Sequence, residues 1–149
     1  MGTSSDKYHR FYISNGKIAA SGNIMFLMDK TGELRDLSGK DYCYYSMFRG
    51  CFSLTQAPKL PATTLAEYCY AFMFYNCTSL IQAPALPATT LANQCYSYMF
   101  EYCSSLTQAP LLPAMTLATY CYRGMFYMCK SPFTISDKTF DEVASLIQN

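Results

Sequence analysis

Residues 69–94 read CYAFMFYNCTSLIQAPALPATTLANQ, and the same 26-residue pattern stands on either side of them. Cysteines fall at 43, 51, 69, 77, 95, 103, 121 and 129, a C-x7-C pair recurring every 26 residues. Cys69-Tyr70 and Met73-Phe74 recur as Cys43-Tyr44 and Met47-Phe48, as Cys95-Tyr96 and Met99-Phe100, and as Cys121-Tyr122 and Met125-Phe126. The second half of the unit repeats too. Ser79-Leu80, Gln82-Ala83-Pro84, Leu86-Pro87-Ala88 and Thr90-Leu91-Ala92 have counterparts from Ser53 to Ala66 and from Ser105 to Ala118. Three full units run 43–68, 69–94 and 95–120, and a fourth starts at Cys121 and leaves the pattern at Pro132.

A unit this short cannot bury its own apolar side, so neighbours must stack and turn each repeated position into a ladder. The expectation is a single solenoid domain over 1–149, α/β in class. It comprises an N-terminal cap and degenerate rung over 1–42, repeats over 43–131 and a C-terminal cap over 132–149. Ser-Leu-x-Gln-Ala suits a short strand that the following proline closes, because proline has no N–H for a ladder. Each rung would then add one strand to a parallel sheet.

Counting the first cysteine of a unit as zero, offsets 0, 1, 4, 5 and 8 are constant, while −2, −1, 2, 3, 6 and 7 vary. A period near four predicts one or two helical turns, 3₁₀ in part. Leu65, Cys69, Met73 and Cys77 would face inward, and Glu67, Ala71, Phe72, Tyr75 and Asn76 outward. At the N-terminal end, residues 10–14, Asn15-Gly16 and residues 17–20 read as a hairpin with a two-residue turn. At the other end Thr139-x-x-Glu142 matches a capping box, and Phe140, Val143, Ala144 and Ile147 share one helical face, which predicts a closing helix.

With 149 residues, 51% of them hydrophobic, the chain has material for one continuous core. Its net charge of +1 leaves no electrostatic footprint for nucleic acid and no polybasic membrane patch. No stretch reaches the roughly eighteen apolar residues of a membrane span, and Met1 to Lys7 is polar where a signal peptide would be apolar. No membrane insertion is expected, and the native compartment stays open.

Eight cysteines raise the question of zinc or disulfides. Zinc sites want ligand pairs about two to four residues apart, which C-x7-C does not offer, and the one histidine, His9, lies outside the array. Equivalent cysteines on stacked rungs would come within disulfide range, but their parallel side chains make the bond awkward. Reduced cysteines acting as small core hydrophobes are the main expectation. The methionine column at 47, 73, 99 and 125 reads as core filler rather than a soft-metal stripe. Gln56, Gln82 and Gln108 are expected to stack as an amide ladder that hydrogen-bonds the turns internally.

Catalysis is hard to assemble. A lone His9 supports no Ser/His/Asp or Cys/His arrangement inside the array. Between 43 and 131 the acids are Glu67 and Glu101, and the seven glycines are scattered singly, so there is no phosphate loop. Neither enzyme, cofactor nor metal is expected.

The varying positions are informative in their composition. They include Tyr45, Phe72, Tyr75, Tyr98, Tyr102, Tyr120, Tyr127 and Met128, with Asn76, Ser97 and Asn93 beside them. The span 43–131 holds six charged residues and the other sixty residues hold fifteen, so the array avoids charge where it should face water. Tyrosine with serine and asparagine makes adaptable binding surfaces, since the ring offers contact area at low entropic cost. Tyr45, Phe72, Tyr75, Asn76, Tyr98, Tyr102 and Tyr127 are the candidate binding face. The plainer alternative has these rings packing on one another along the stack. On the strand side two rows also vary, Thr55, Ile81, Thr107 and Lys59, Ala85, Leu111, where a narrow, plain groove is expected.

Met73-Phe74-x-x-Cys77-x-Ser79-Leu80, followed by Leu86-Pro87, resembles the repeats of the BspA-type bacterial surface leucine-rich family. Those carry an Ala-Phe-x-x-Cys-x-x-Leu core and an Ile-Pro step. Met stands here for the family's Ala, Cys at offset zero for its usual Ile, and the unit is longer than the common form. The Cys- and Tyr-rich variant is similar to arrays of gut Bacteroidetes and their prophages. The resemblance covers about residues 42–132 and implies a right-handed, leucine-rich-repeat-type solenoid of short parallel strands and short helical segments. It also implies an extracellular or cell-surface setting and adhesion to protein or glycan. A monomeric, non-catalytic recognition module is therefore expected, the alternative being a structural spacer or assembly segment of a larger surface or phage-associated protein.

Overall fold

The structure, a computed structural model, describes residues 10, 11 and 16–130. Within them the 26-residue units lie one upon another, tied by a regular set of backbone hydrogen bonds. Across 42–50 every even-numbered residue donates its N–H to the carbonyl 25 positions ahead. Tyr42 bonds Glu67, Tyr44 bonds Cys69, Ser46 bonds Ala71, Phe48 bonds Met73 and Gly50 bonds Tyr75, at 2.8–3.0 Å. Odd-numbered residues close turns instead, each donating three positions back: Cys43 to Lys40, Tyr45 to Tyr42, Met47 to Tyr44, Arg49 to Ser46 and Cys51 to Phe48. The alternation continues up the stack, through Tyr70 to Cys95 and Phe74 to Met99, then Tyr96 to Cys121 and Phe100 to Met125.

This corrects the expected helical turns. Among the described residues the one helix is a 3₁₀ turn at Ile24–Leu27, capped by Asn23, whose side chain accepts the Met25 N–H. An α-helix sends its N–H groups back along its own chain, whereas here half of them reach the next rung. The period of four has another cause. Backbone φ is positive at offsets −1, 3 and 7 of every rung: Tyr42, Ser46, Gly50; Tyr68, Phe72, Asn76; Gln94, Tyr98, Tyr102; Tyr120, Gly124, Met128. Turns closing at offsets 0, 4 and 8 need such a left-handed residue at their third position. It turns the chain so that the next residues, Cys69-Tyr70 and Met73-Phe74, both enter the core, where all four are buried. Ala71, expected outward, is buried as well, as is Ser97 in the same column. Small side chains there are enclosed by the rungs on either side.

Among the described residues, regular strand is confined to the first rungs. Strand β1 (Ile18–Ala19) pairs in parallel with β2 (Leu54–Gln56), with Ile18 opposite Leu54, Ala19 opposite Gln56 and an irregularity between. Further up, the strand side shrinks to single bridges, Gln56 with Gln82, Gln82 with Gln108 and Thr64 with Thr90. Two prolines per unit remove the donors that a longer ladder needs. Residues 17–20, the second arm of the expected hairpin, hold β1 and so pair with the first full repeat, while residues 12–14 of the first arm and Asn15 of the turn lie outside the described residues. So does the expected C-terminal cap at 132–149. Residues up to Leu37 follow the register of the repeats: Asp36 bridges Thr64, and Leu37 donates to the Thr64 carbonyl at 2.9 Å as Leu65 does to Thr90 at 3.0 Å.

Stacking fills the interior with columns of like side chains. Tyr44, Tyr70, Tyr96 and Tyr122 lie with ring centroids 5.7–5.8 Å apart, and Phe48, Phe74, Phe100 and Phe126 at 5.5–5.7 Å, all close to parallel. Large buried rings carry much of the apolar burial in a core. The second cysteine of each unit has a polar task besides filling space. Cys77 Sγ donates to the Phe48 carbonyl, Cys103 to Phe74 and Cys129 to Phe100, each at 3.1 Å. All eight cysteines are free thiols.

Burial favours the protonated thiol, pushing the donor Cys129 up to about 11 and Cys95, in the other cysteine column, up to about 12, from an ordinary 9.0. Their stabilising contribution is complete below pH 9 and is lost as pH rises toward 11–12, because the unfolded chain ionises first. Under reducing conditions the urea midpoint is expected to hold between about pH 7 and 8.5 and to fall steadily above about 9; a flat profile to about pH 11 would show that these thiols do not couple to folding.

The tyrosine column offers a second test. Tyr44 Oη reaches the Ile24 carbonyl at 3.3 Å, while among the described residues the buried hydroxyls of Tyr70 and Tyr122 have no partner. Tyr70→Phe should be neutral or stabilising by up to about 1–2 kcal/mol, and Tyr44→Phe should cost about 0.5–1.5 kcal/mol. Chemical denaturation of the two variants would separate them by sign.

Candidate functional site

The aromatic side chains at the offsets that vary form one network of rings along the turn segment. Tyr45 meets Phe72 edge-on at 5.7 Å, Phe72 stacks on Tyr98 at 5.0 Å, and Phe72 lies 5.9 Å from Tyr75. Tyr75 meets Tyr102 edge-on at 5.6 Å, and Tyr102 meets Tyr127 at 6.4 Å. Six of the seven expected residues are thus in mutual contact. The seventh, Asn76, is half-buried in the column between Gly50 and Tyr102 and donates its N–H to the Glu101 carbonyl at 2.7 Å. Exposure grows along the stack: Tyr45, Phe72, Tyr75 and Tyr98 are half-buried, whereas Tyr102 is 37% and Tyr127 59% exposed.

Sequence reasoning missed part of this face. Tyr42 stacks on Tyr68 at 4.7 Å, and the Gln94 amide donates to the Tyr68 hydroxyl. These three share offset −1 with the exposed Tyr120, so the column was open to detection. Two arginines were counted only as charges. Arg49 lies 4.4 Å over the Tyr75 ring and 5.4 Å over Phe72, and Arg123 lies 5.7 Å over Tyr98 and 5.2 Å over Tyr120. Each occupies a variable offset, and each spreads its charge on the negative face of a ring. Glu101 is buried, and burial raises its carboxyl from the ordinary value, with the Arg49 charge opposing the rise.

The amide ladder is corrected. Gln56, Gln82 and Gln108 pair through their backbones, but their side chains are exposed and make no hydrogen bond among the described residues. The turn carbonyls that they were expected to serve are already taken by N–H groups of the adjoining rung and by threonine: Thr107 Oγ1 donates to Ile81 O at 3.1 Å and Thr55 Oγ1 to Ile18 O at 3.0 Å. Instead the glutamines edge two open grooves. One of about 510 Å³ has Gln82, Pro84, Leu86, Gln108, Pro110 and Leu111 among its walls, and one of about 420 Å³ has Thr55, Gln56 and Ile81. No three His, Cys, Asp or Glu side chains converge as a metal-ligand set among the described residues.

Gly124 shows how closely the aromatic face is fitted. A Cβ at this position, where φ is +59°, would collide with Cε1 and Cδ1 of the Tyr98 ring; one at Gly50, with φ +75°, would meet only the tip of Phe52 at 4.0 Å. Gly124→Ala is expected to cost about 1–3 kcal/mol more than its backbone strain alone, and Gly50→Ala only the strain, about 1–2 kcal/mol. Thermal unfolding of both variants checks the order, and equal losses would mean that the Tyr98 ring yields freely. No family model, curated protein or solved structure matches this chain.

Proposed function

We propose that the chain is a non-catalytic recognition module, a right-handed leucine-rich-repeat-type solenoid of the BspA class that binds protein or glycan through its aromatic face. The supporting observation is the conformation of the rings' own backbones. Six of the left-handed positions hold Tyr or Phe: Tyr42, Tyr68, Phe72, Tyr98, Tyr102 and Tyr120. At such φ an L-residue costs about 1–2 kcal/mol relative to the right-handed region, and glycine almost nothing. A stack selected for stability alone would place Gly or Asn there, as Gly50, Gly124 and Asn76 do. Large rings kept at strained positions fit a surface retained for contact. Low charge and the hydroxyls of Tyr102, Tyr120 and Tyr127 suit a partner that offers flat apolar area and hydrogen-bonding edges.

The second reading, a spacer or assembly segment, draws on the ring-to-ring contacts, which let the tyrosines stabilise the stack itself. Tyr102→Gly and Tyr120→Gly separate the two, since each removes a ring and relieves a strained φ. On the recognition reading both variants unfold at or above the temperature of the parent chain and lose binding to whichever glycan or matrix protein the parent retains on an array. On the spacer reading both lower the unfolding temperature, and the parent retains nothing.

A further inference from the structure

Offset 6 of the four units holds Arg49, Tyr75, Glu101 and Tyr127, one to a rung. The first two make a finished contact, the Arg49 guanidinium lying 4.4 Å over the Tyr75 ring. The next two leave a carboxylate without a counterpart. Glu101 is only 9% exposed and is the one charged side chain buried among the described residues. No hydrogen bond reaches its carboxylate among them. Arg49 is the one cation that acts on it, and that guanidinium is already spread over Tyr75 and Phe72. An ionised carboxylate held away from water is costly unless a cation or several donors compensate it.

Three rings surround this acid. Hydrogen bonds from Asn76 N–H to Glu101 O at 2.7 Å and from Tyr102 N–H to Tyr127 O at 2.9 Å set Glu101 on the rung between Tyr75 and Tyr127. Tyr102, its neighbour in the chain, meets Tyr75 at 74° and Tyr127 at 78°. Rings in edge-on contact present two faces at nearly a right angle, and so form a corner. Tyr102 and Tyr127 are 37% and 59% exposed, so their corner is open to a ligand while the acid is shielded. The Tyr102 phenol registers the same surroundings: it is raised from its ordinary value by partial desolvation first, then by Tyr75, Glu101 and Tyr127.

We propose that Glu101 and the rings of Tyr75, Tyr102 and Tyr127 form a binding site for a primary alkylammonium group, the side chain of a lysine on a protein partner. This rests on the recognition reading of the aromatic face and gives it a ligand class. Ring faces attract the cation, its N–H groups donate to the carboxylate in a charge-assisted bond, and its methylene stem lies on the exposed ring of Tyr127. Depth selects the ligand. A slender, unbranched chain reaches an acid this little exposed, whereas an amine borne on a sugar ring is held away from it. A trimethylated ammonium suits the rings but brings no N–H to the acid.

The full-length chain is titrated with Nα-acetyl-lysine methylamide, its Nε-trimethyl form, the norleucine counterpart and glucosamine, and read by proton NMR. The lysine amide should bind saturably, with its ε-methylene protons moved upfield by the rings, and more tightly than the other three. Glu101→Gln should weaken it by about tenfold or more, and Tyr127→Leu by about threefold or more. Glu67→Gln removes an exposed acid outside the site and should change nothing. Should Glu101→Gln fail to fold, Tyr127→Leu decides. No saturable shift, equal binding of the norleucine counterpart, the trimethyl form or glucosamine, or an unchanged affinity in the folded variants would overturn the proposal. A parent chain that ignores the lysine amide yet retains an array partner through Tyr102 and Tyr120 overturns this site and leaves the recognition reading standing. One that retains neither overturns both.

Discussion

The structure rests on a division of labour among backbone N–H groups. In the first three turn segments alternate residues bond three positions back and 25 positions ahead, so the local turn and the stack use the same short stretch without competing for donors. Neither set suffices alone: a run of turns is as unstable in water as any short peptide, and a lone rung has no partner. The left-handed residue at every fourth position is the local condition for this arrangement, and the constant residues follow from it. They are the ones carried inward after each such residue. Cysteine suits the last inward position because it is small and apolar yet brings a donor for the second lone pair of the phenylalanine carbonyl, whose first lone pair takes the cysteine N–H of its own rung.

Much of this was legible from the repeat. The 26-residue period, the inward Cys, Tyr, Met and Phe columns and the gathering of Tyr45, Phe72, Tyr75, Tyr98, Tyr102 and Tyr127 all follow from which offsets vary. The helical reading fails for a physical reason. At 100° per residue, offsets 0, 1, 4, 5 and 8 fall within about 140° of one another, so nine residues of pattern cannot tell a helix from four-residue turns. A larger clue lay in Gly50, Asn76 and Gly124, residue types that favour positive φ, set 26 apart or at steps of four along the unit. Ala71 was misplaced by the same assumption. The glutamines were misread because their acceptors were counted as free when the next rung already supplies the donors. Arg49 and Arg123 were passed over because charge alone does not say which surface a guanidinium will lie on.

The aromatic face and the strain beneath it belong together. Rings at offsets −1 and 3 leave the stack from a backbone conformation that directs them sideways over the neighbouring rung, which is why Phe72 meets Tyr98 and Tyr42 meets Tyr68 in parallel. That mutual support holds the rings in place before any partner arrives, and a pre-ordered aromatic surface loses less entropy on contact than a mobile one. The two arginines add to this order and leave little free charge on the face.

The four-residue turn also sets how such a chain can change in length. One inserted residue between 42 and 51 would exchange the two classes of N–H downstream and send core side chains to the surface. Two would restore the alternation but misplace the left-handed position. Only four would keep both, adding another inward pair to the rung. Elsewhere the rule relaxes: from Leu37 to Tyr42 the chain takes five steps where Leu65 to Tyr68 takes three, and the stack absorbs the difference. Variation in length is thus quantised on one side of each coil and continuous on the other, so the coil can widen in whole teeth, like a gear, while its loops drift.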